Sequence, residues 1–98
     1  MAIRSFKDAG TADIAAQRAT KQSRRTLAAV LHNAALEKLI LLDAAVALDD
    51  LAIWPSLRLE KLMGKRKGQH SIRINRQYRI CFVWAGQDAF EVEIVDYH

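Results

Sequence analysis

The apolar residues of this chain change period once, and the change falls at its only proline, Pro55. Upstream, Ala28, Leu31, Ala35, Leu39, Leu42 and Val46 recur at spacings of three or four and line one stripe. Leu27, Val30, Ala34, Leu41 and Ala45 widen that stripe, while His32, Asn33, Glu37 and Asp43 supply the polar side. The pattern predicts a helix from Thr26 to about Val46, a rod of about 30 Å. Downstream the residues alternate. Leu57, Leu59 and Lys61 oppose Arg58 and Glu60; Ile72 and Ile74 oppose Ser71, Arg73 and Asn75; Tyr78, Ile80, Phe82 and Trp84 oppose Arg79, Cys81 and Val83. Helices followed by a run of strands confine the chain to the α+β class, with helices gathered on one face of a small antiparallel sheet.

The rest of the chain fits around that switch. Ile3 to Phe6 reads as a short first strand, and Thr11 as the N-cap of a short helix reaching about Gln17 to Thr20, with Asp13 in its first turn. Lys21-Gln-Ser-Arg-Arg25 reads as a connection, and Asp49-Asp50 as the cap of a turn. Met63 to Gly68 is a basic loop between glycines, Asn75-Arg76-Gln77 a hairpin turn, and Phe90 to His98 the last strand. If the isoleucines and Phe82 face the helix, Arg73 and Arg79 emerge together on the other face. Trp84 is expected in the core and Trp54 beneath the helix-to-strand connection.

A chain of 98 residues, 51% of them apolar, has the size of one domain, residues 1–98, with a core that needs no disulfide. Cys81 has no cysteine partner and reads as a buried thiol suited to a reducing compartment. His32, His70 and His98 lie too far apart to give metal-ligand spacing, so neither a metal nor another cofactor is expected. The first residues lack the apolar stretch of a signal peptide, and Leu39 to Leu48 is interrupted by Asp43 and too short to span a bilayer. A soluble cytoplasmic protein with no membrane partner is the expectation.

Charge separates along the chain. The net charge is +4, but eight cations (Arg58, Lys61, Lys65, Arg66, Lys67, Arg73, Arg76 and Arg79) stand against Glu60 alone between residues 58 and 79. Residues 86–98 carry four acids, Asp88, Glu91, Glu93 and Asp96, and no Lys or Arg. A basic block of that density attracts nucleic acid, although a solvated charged face has the same composition.

Three stretches together resemble the HigB-type toxins of the RelE superfamily: Arg58 to Asn75, Tyr78-Arg-Ile-Cys-Phe82, and the closing Val92-Glu-Ile-Val-Asp-Tyr-His98. The resemblance implies an endoribonuclease of a type II toxin–antitoxin system that cuts mRNA on the ribosome without a metal. It also implies a helix-turn-helix antitoxin of the HigA type, with operator DNA bound only through the toxin–antitoxin complex. By that resemblance Arg79 stabilises the phosphate, and Asp96, Tyr97 and His98 form the terminal catalytic triplet. Strict alternation complicates the triplet, placing Tyr97 with Glu91 and Glu93 but Asp96 and His98 with Phe90, Val92 and Ile94. Arg73 and Glu60 are further candidates for catalysis or phosphate binding. Lys61, Lys65, Arg66, Lys67 and Arg76 are candidates for RNA backbone contacts, with the Lys21, Arg24, Arg25 cluster a second place for contact with ribosomal RNA. Some members carry a histidine where this chain has Glu60 and a lysine where it has Met63, which leaves the general base open. Two other readings share the fold: a gyrase-inhibiting toxin and a basic RNA-binding module without catalysis.

Overall fold

The computed structural model describes residues 1–97, and His98 lies outside the described residues. The helices are α1 (Ala9–Ala15), α2 (Lys21–Thr26), α3 (His32–Ala44) and α4 (Asp49–Ala52). The strands are β1 (Glu60–Lys61), β2 (His70–Arg73), β3 (Tyr78–Ala85) and β4 (Asp88–Asp96), with single 3-10 turns at Ala29–Leu31, Pro55–Leu57 and Gly64–Arg66. The strands form one antiparallel sheet in the order β1-β2-β3-β4. The expected α+β architecture is therefore present, and Pro55 opens the turn that separates helices from sheet.

Local capping explains the helices. Asp8, not Thr11, caps α1: its carboxylate accepts from the Thr11 backbone N–H at 2.6 Å. Lys21 to Arg25, expected as a connection, is helical because Thr20 and Ser23 form a capping box with bonds of 2.9 and 3.0 Å. The single helix expected from Thr26 to Val46 is broken at its start. Leu27 is extended and fully buried, its carbonyl meets His32 Nε2 at 2.7 Å, and regular helix begins only at His32. At the far end Ala45 is extended, and the Asp50 carboxylate accepts from the Val46 and Ala47 N–H groups.

Ile14, Leu27, Ala35, Leu39, Leu42, Leu51 and Leu57 pack on Ile72, Ile74, Ile80, Phe82, Ala89, Val92 and Ile94 in one core. The expected first strand is reduced to two parallel bridges, Ile3 to Ala89 and Phe6 to Val92. A bulge in β4 interrupts the ladder between them. Cys81 pairs with Glu93 while Val83 pairs with Phe90, and Glu91 adopts a positive φ of 53°. The Glu91 N–H is taken by Ser5 Oγ at 2.9 Å. The extra residue lets Ala89 and Val92, an odd number apart, both be buried. Asp43 anchors this N-terminal segment to α3 by accepting the Ile3 N–H at 3.0 Å. Trp84 is half-buried, edge-on to Phe82, whereas Trp54, expected beneath the connection, is 46% exposed.

Candidate active site

The sheet face away from the helices carries two rows of side chains set by the register. One row runs Glu60, Ser71, Cys81, Glu93, and the next runs Arg73, Arg79, Val95. Ser71 and Cys81 are fully buried although they sit on the outer face, because long charged side chains cover them. Burial pushes the Cys81 thiol above its ordinary pKa, against the opposing pull of Arg66.

Arg79 is the centre of this surface. Its Nε–H donates to Ser71 Oγ at 2.7 Å and its Nη2 to the Arg58 carbonyl at 2.6 Å. Nη2 also lies 3.5 Å from Glu60 Oε2, and the side chain is only 11% exposed. The Arg58 carbonyl is aimed there by a left-handed residue: Arg58 has φ 45° and ψ 54°, a conformation that non-glycine residues rarely adopt. The Tyr97 ring centroid lies 5.7 Å from the guanidinium carbon, a cation–π distance. A guanidinium carries five N–H groups in a planar fork. Its bonds engage Nε and Nη2, and among the described residues nothing accepts from Nη1. Among the described residues Arg79 thus presents an open Nη1 beside an aromatic ring and a carboxylate.

The structure gathers some of the expected residues and separates others. Arg73 is the direct cross-strand partner of Arg79, as the hairpin implies, and its Nε donates to the Asn75 carbonyl at 3.0 Å. Tyr97 shares the face of Glu93 and Arg79 and is held by its own N–H on the Gln77 carbonyl at 2.7 Å. Asp96 has the opposite parity: it pairs with Tyr78, and its carboxylate accepts from Gln77 Nε2 at 3.0 Å. His98 falls outside the described residues. Arg66, expected to hold RNA, pairs with Glu93 at 2.7 Å and with Gln69 at 3.1 Å. The Glu93 bond raises the Arg66 pKa further. Lys65 and Lys67 flank Arg66 and are exposed, as is Arg76 in the hairpin turn. Lys61 pairs with His70, on the parity opposite to Arg79, so it stands apart from the centre. Ser71 and the Arg58 carbonyl, which hold Arg79, carry no motif. Only the pairing of Ser71 with Cys81, which sets Ser71 diagonal to Arg79, would have revealed them. Among the described residues no group of three or more His, Cys, Asp or Glu side chains stands together to hold a metal.

A fixed cation with an open edge is the arrangement that stabilises charge developing on a phosphoryl group. Residues 5–98 match the family described as RelE-like toxin of type II toxin–antitoxin system HigB. The chain belongs to the HigB-like toxin family. It is 48% identical over 60 residues to Toxin HigB-1 of Vibrio cholerae serotype O1, a match that covers 61% of this chain and 63% of that relative. Within this HigB-like toxin, Glu60 Oε2 stands 3.5 Å from Arg79 Nη2. Met63 is 71% exposed, so a cation at that position would face solvent. No helix among the described residues is long and apolar enough to cross a membrane.

Proposed function

We propose that this HigB-like toxin is a metal-independent mRNA endoribonuclease that acts on ribosome-bound message and inhibits translation. The observation that carries the reading is Arg79, locked by Ser71 and Arg58 and with no acceptor on Nη1 among the described residues, between Tyr97 and Glu60. The RNA's 2′-hydroxyl attacks the adjacent phosphorus as the bond to the 5′-oxygen breaks in line, leaving a cyclic phosphate and a 5′-hydroxyl. The free edge of Arg79 takes the charge that builds on the non-bridging oxygens. Tyr97, exposed at 39%, offers its ring to a nucleobase. On this reading Glu60, half exposed beside the cation, accepts the 2′-hydroxyl proton, and Asp96 and His98 are the candidates to protonate the leaving 5′-oxygen. The protein works in the cytoplasm, where a HigA-type helix-turn-helix antitoxin restrains it and the pair binds operator DNA.

Mapping of 5′ ends in cellular mRNA after brief induction tests this reading. New ends in translated frames are expected with the native chain and not with Arg79→Ala or with a chain lacking His98. Growth arrest without new ends would remove the ribonuclease and leave a gyrase-inhibiting toxin as the alternative.

A further inference from the structure

A second feature lies beside Arg79 and is not needed for the chemistry. Lys38 of α3, Ser56 and Arg58 of the turn after Pro55, Arg73 of β2, and Asn75 and Arg76 of the hairpin line an open cleft of about 620 Å³. Four of its lining residues are cations, none is a carboxylate, and none is aromatic. The acid nearest in the ion-pair network is Glu37, outside the lining and 3.8 Å from the Lys38 ammonium. Like charges brought together without acids repel one another, so a cleft of this composition is stabilised by a polyanion. Without an aromatic ring it has no stacking platform for bases, and its donors suit phosphate oxygens.

Two contacts make the cleft continuous with the Arg79 site. Arg73 is the cross-strand partner of Arg79. Arg58 lines the cleft while its carbonyl accepts from Arg79 Nη2. A strand whose scissile phosphate sits on the free edge of Arg79 has neighbouring phosphates within reach of these cations. We infer that the cleft is a phosphate subsite for single-stranded RNA, with Lys38 and Arg58 joining Arg73 and Arg76 as its donors. This rests on the ribonuclease reading for its RNA ligand. The cleft contributes affinity and salt dependence, not sequence preference and not the chemical step.

The test is equilibrium binding of a 2′-O-methylated oligoribonucleotide, which has no 2′-hydroxyl and cannot be cut. It is measured against salt with the full chain. Each lost phosphate contact lowers the log–log slope by about 0.7, so Lys38→Gln/Arg76→Gln should lower it by about 1.4. That corresponds to about 25-fold weaker binding at 0.1 M salt, closing towards 1 M. Arg58→Asn, which tolerates the left-handed backbone, should lower the slope by about 0.7 without disturbing the Arg79 anchor. Arg4→Gln/Arg18→Gln makes the same change of charge outside the cleft and should leave the slope alone. An unchanged oligonucleotide slope with weaker binding to empty ribosomes would overturn the single-stranded RNA subsite and assign the cleft to ribosomal RNA. No change with either ligand, an equal loss in the control pair, or a loss confined to antitoxin binding would overturn it. Because binding is read without cleavage, a failure to find new mRNA ends would count against the ribonuclease reading and not against the cleft.

Discussion

Ser71→Ala separates a guanidinium that is merely present from one that is held. In the native chain two anchors fix the Arg79 plane, Ser71 Oγ on Nε at 2.7 Å and the Arg58 carbonyl on Nη2 at 2.6 Å. Removing the hydroxyl leaves a single pivot. Water cannot replace it easily, since Ser71 is fully buried and Arg79 only 11% exposed. A hydrogen bond to a charged group is worth about 1.5–3 kcal/mol, of which the remaining anchor retains part by holding the guanidinium nearby. A loss of about 1.4 kcal/mol in the transition state is tenfold in rate. The expectation is a kcat about tenfold lower with KM within about twofold, because the misplacement is felt where charge develops. Arg79→Lys, which loses the fork altogether, should fall further. The rate is read from single-turnover cleavage of a programmed ribosome complex. The anchor itself is read from the Arg79 Nε–H resonance in an NMR spectrum, expected to be protected in the native chain and exchange-broadened in Ser71→Ala. Native kcat in a folded Ser71→Ala protein that has lost this resonance would refute the idea that the hydroxyl positions Arg79. A raised KM at constant kcat would move Arg79 from transition-state stabilisation to ground-state binding.

Three further outcomes follow from the packing. Thr11 Oγ1 accepts the Ile94 N–H at 3.1 Å and donates to Asp8 at 3.0 Å, so Thr11→Val should cost about 1–3 kcal/mol in urea unfolding by leaving a buried N–H unpaired; a loss under about 0.5 kcal/mol would mean that the amide finds another acceptor. A Cβ on Gly10 would strike Thr26 Oγ1 and lie 2.6 Å from the Gln22 carbonyl, so Gly10→Ala should destabilise by about 1–3 kcal/mol despite alanine's better helix propensity, and a raised Tm would contradict the close approach of α1 and α2. Burial, reinforced by the Lys61 charge, lowers the His70 pKa below its ordinary 6.5, and its buried Nδ1 has no hydrogen-bond partner among the described residues. The unfolded chain then takes up the proton first as pH falls, so the native state loses stability from about pH 6.5 downwards until His70 protonates in the fold. His70→Asn should remove that part of the pH slope, and parallel profiles for the two proteins between pH 5 and 8 would exclude His70 as its source.

How far the sequence discloses this molecule depends on the range of the interaction concerned. Alternation after Pro55 is a local signal with a steric cause, and a short turn at Asn75 leaves little freedom in register, so the pairing of Arg73 with Arg79 could be read directly. Helix boundaries were less legible. Ala28 and Val46 fit the apolar stripe of α3, yet both are exposed, Val46 at 60%. What ends the regular helix is Leu27, drawn into the core in extended form, and periodicity carries no trace of that tertiary demand. Arg66 shows the same limit for charge. It looks like its neighbours Lys65 and Lys67, but its partner Glu93 lies 27 residues away. Parity did separate Tyr97 from Asp96 correctly, since both follow the bulge. It failed for Phe90 and Glu91, because the positive φ at Glu91 reverses the pattern there.

The placement of small residues beneath large ones links these levels. Arg79 starts on β3 and reaches across Ser71 of β2 to the Arg58 carbonyl beyond β1, while Arg66 reaches from its loop to Glu93 of β4. Each can extend over the sheet only where the residues beneath are small, and Ser71 and Cys81 are the two that these side chains bury. A leucine at either position would lift the covering arginine off the face, and its guanidinium would then lose the acceptors that set its angle. An arginine standing free in solvent samples many rotamers, and ordering it on a substrate costs about 2 kcal/mol of side-chain entropy. Here that cost is met during folding, by hydrogen bonds already made, so on the proposed ribonuclease reading an arriving phosphate would meet a donor that is already in place. The two small residues in the middle of the outer face are therefore as much a part of the site as the arginine they carry.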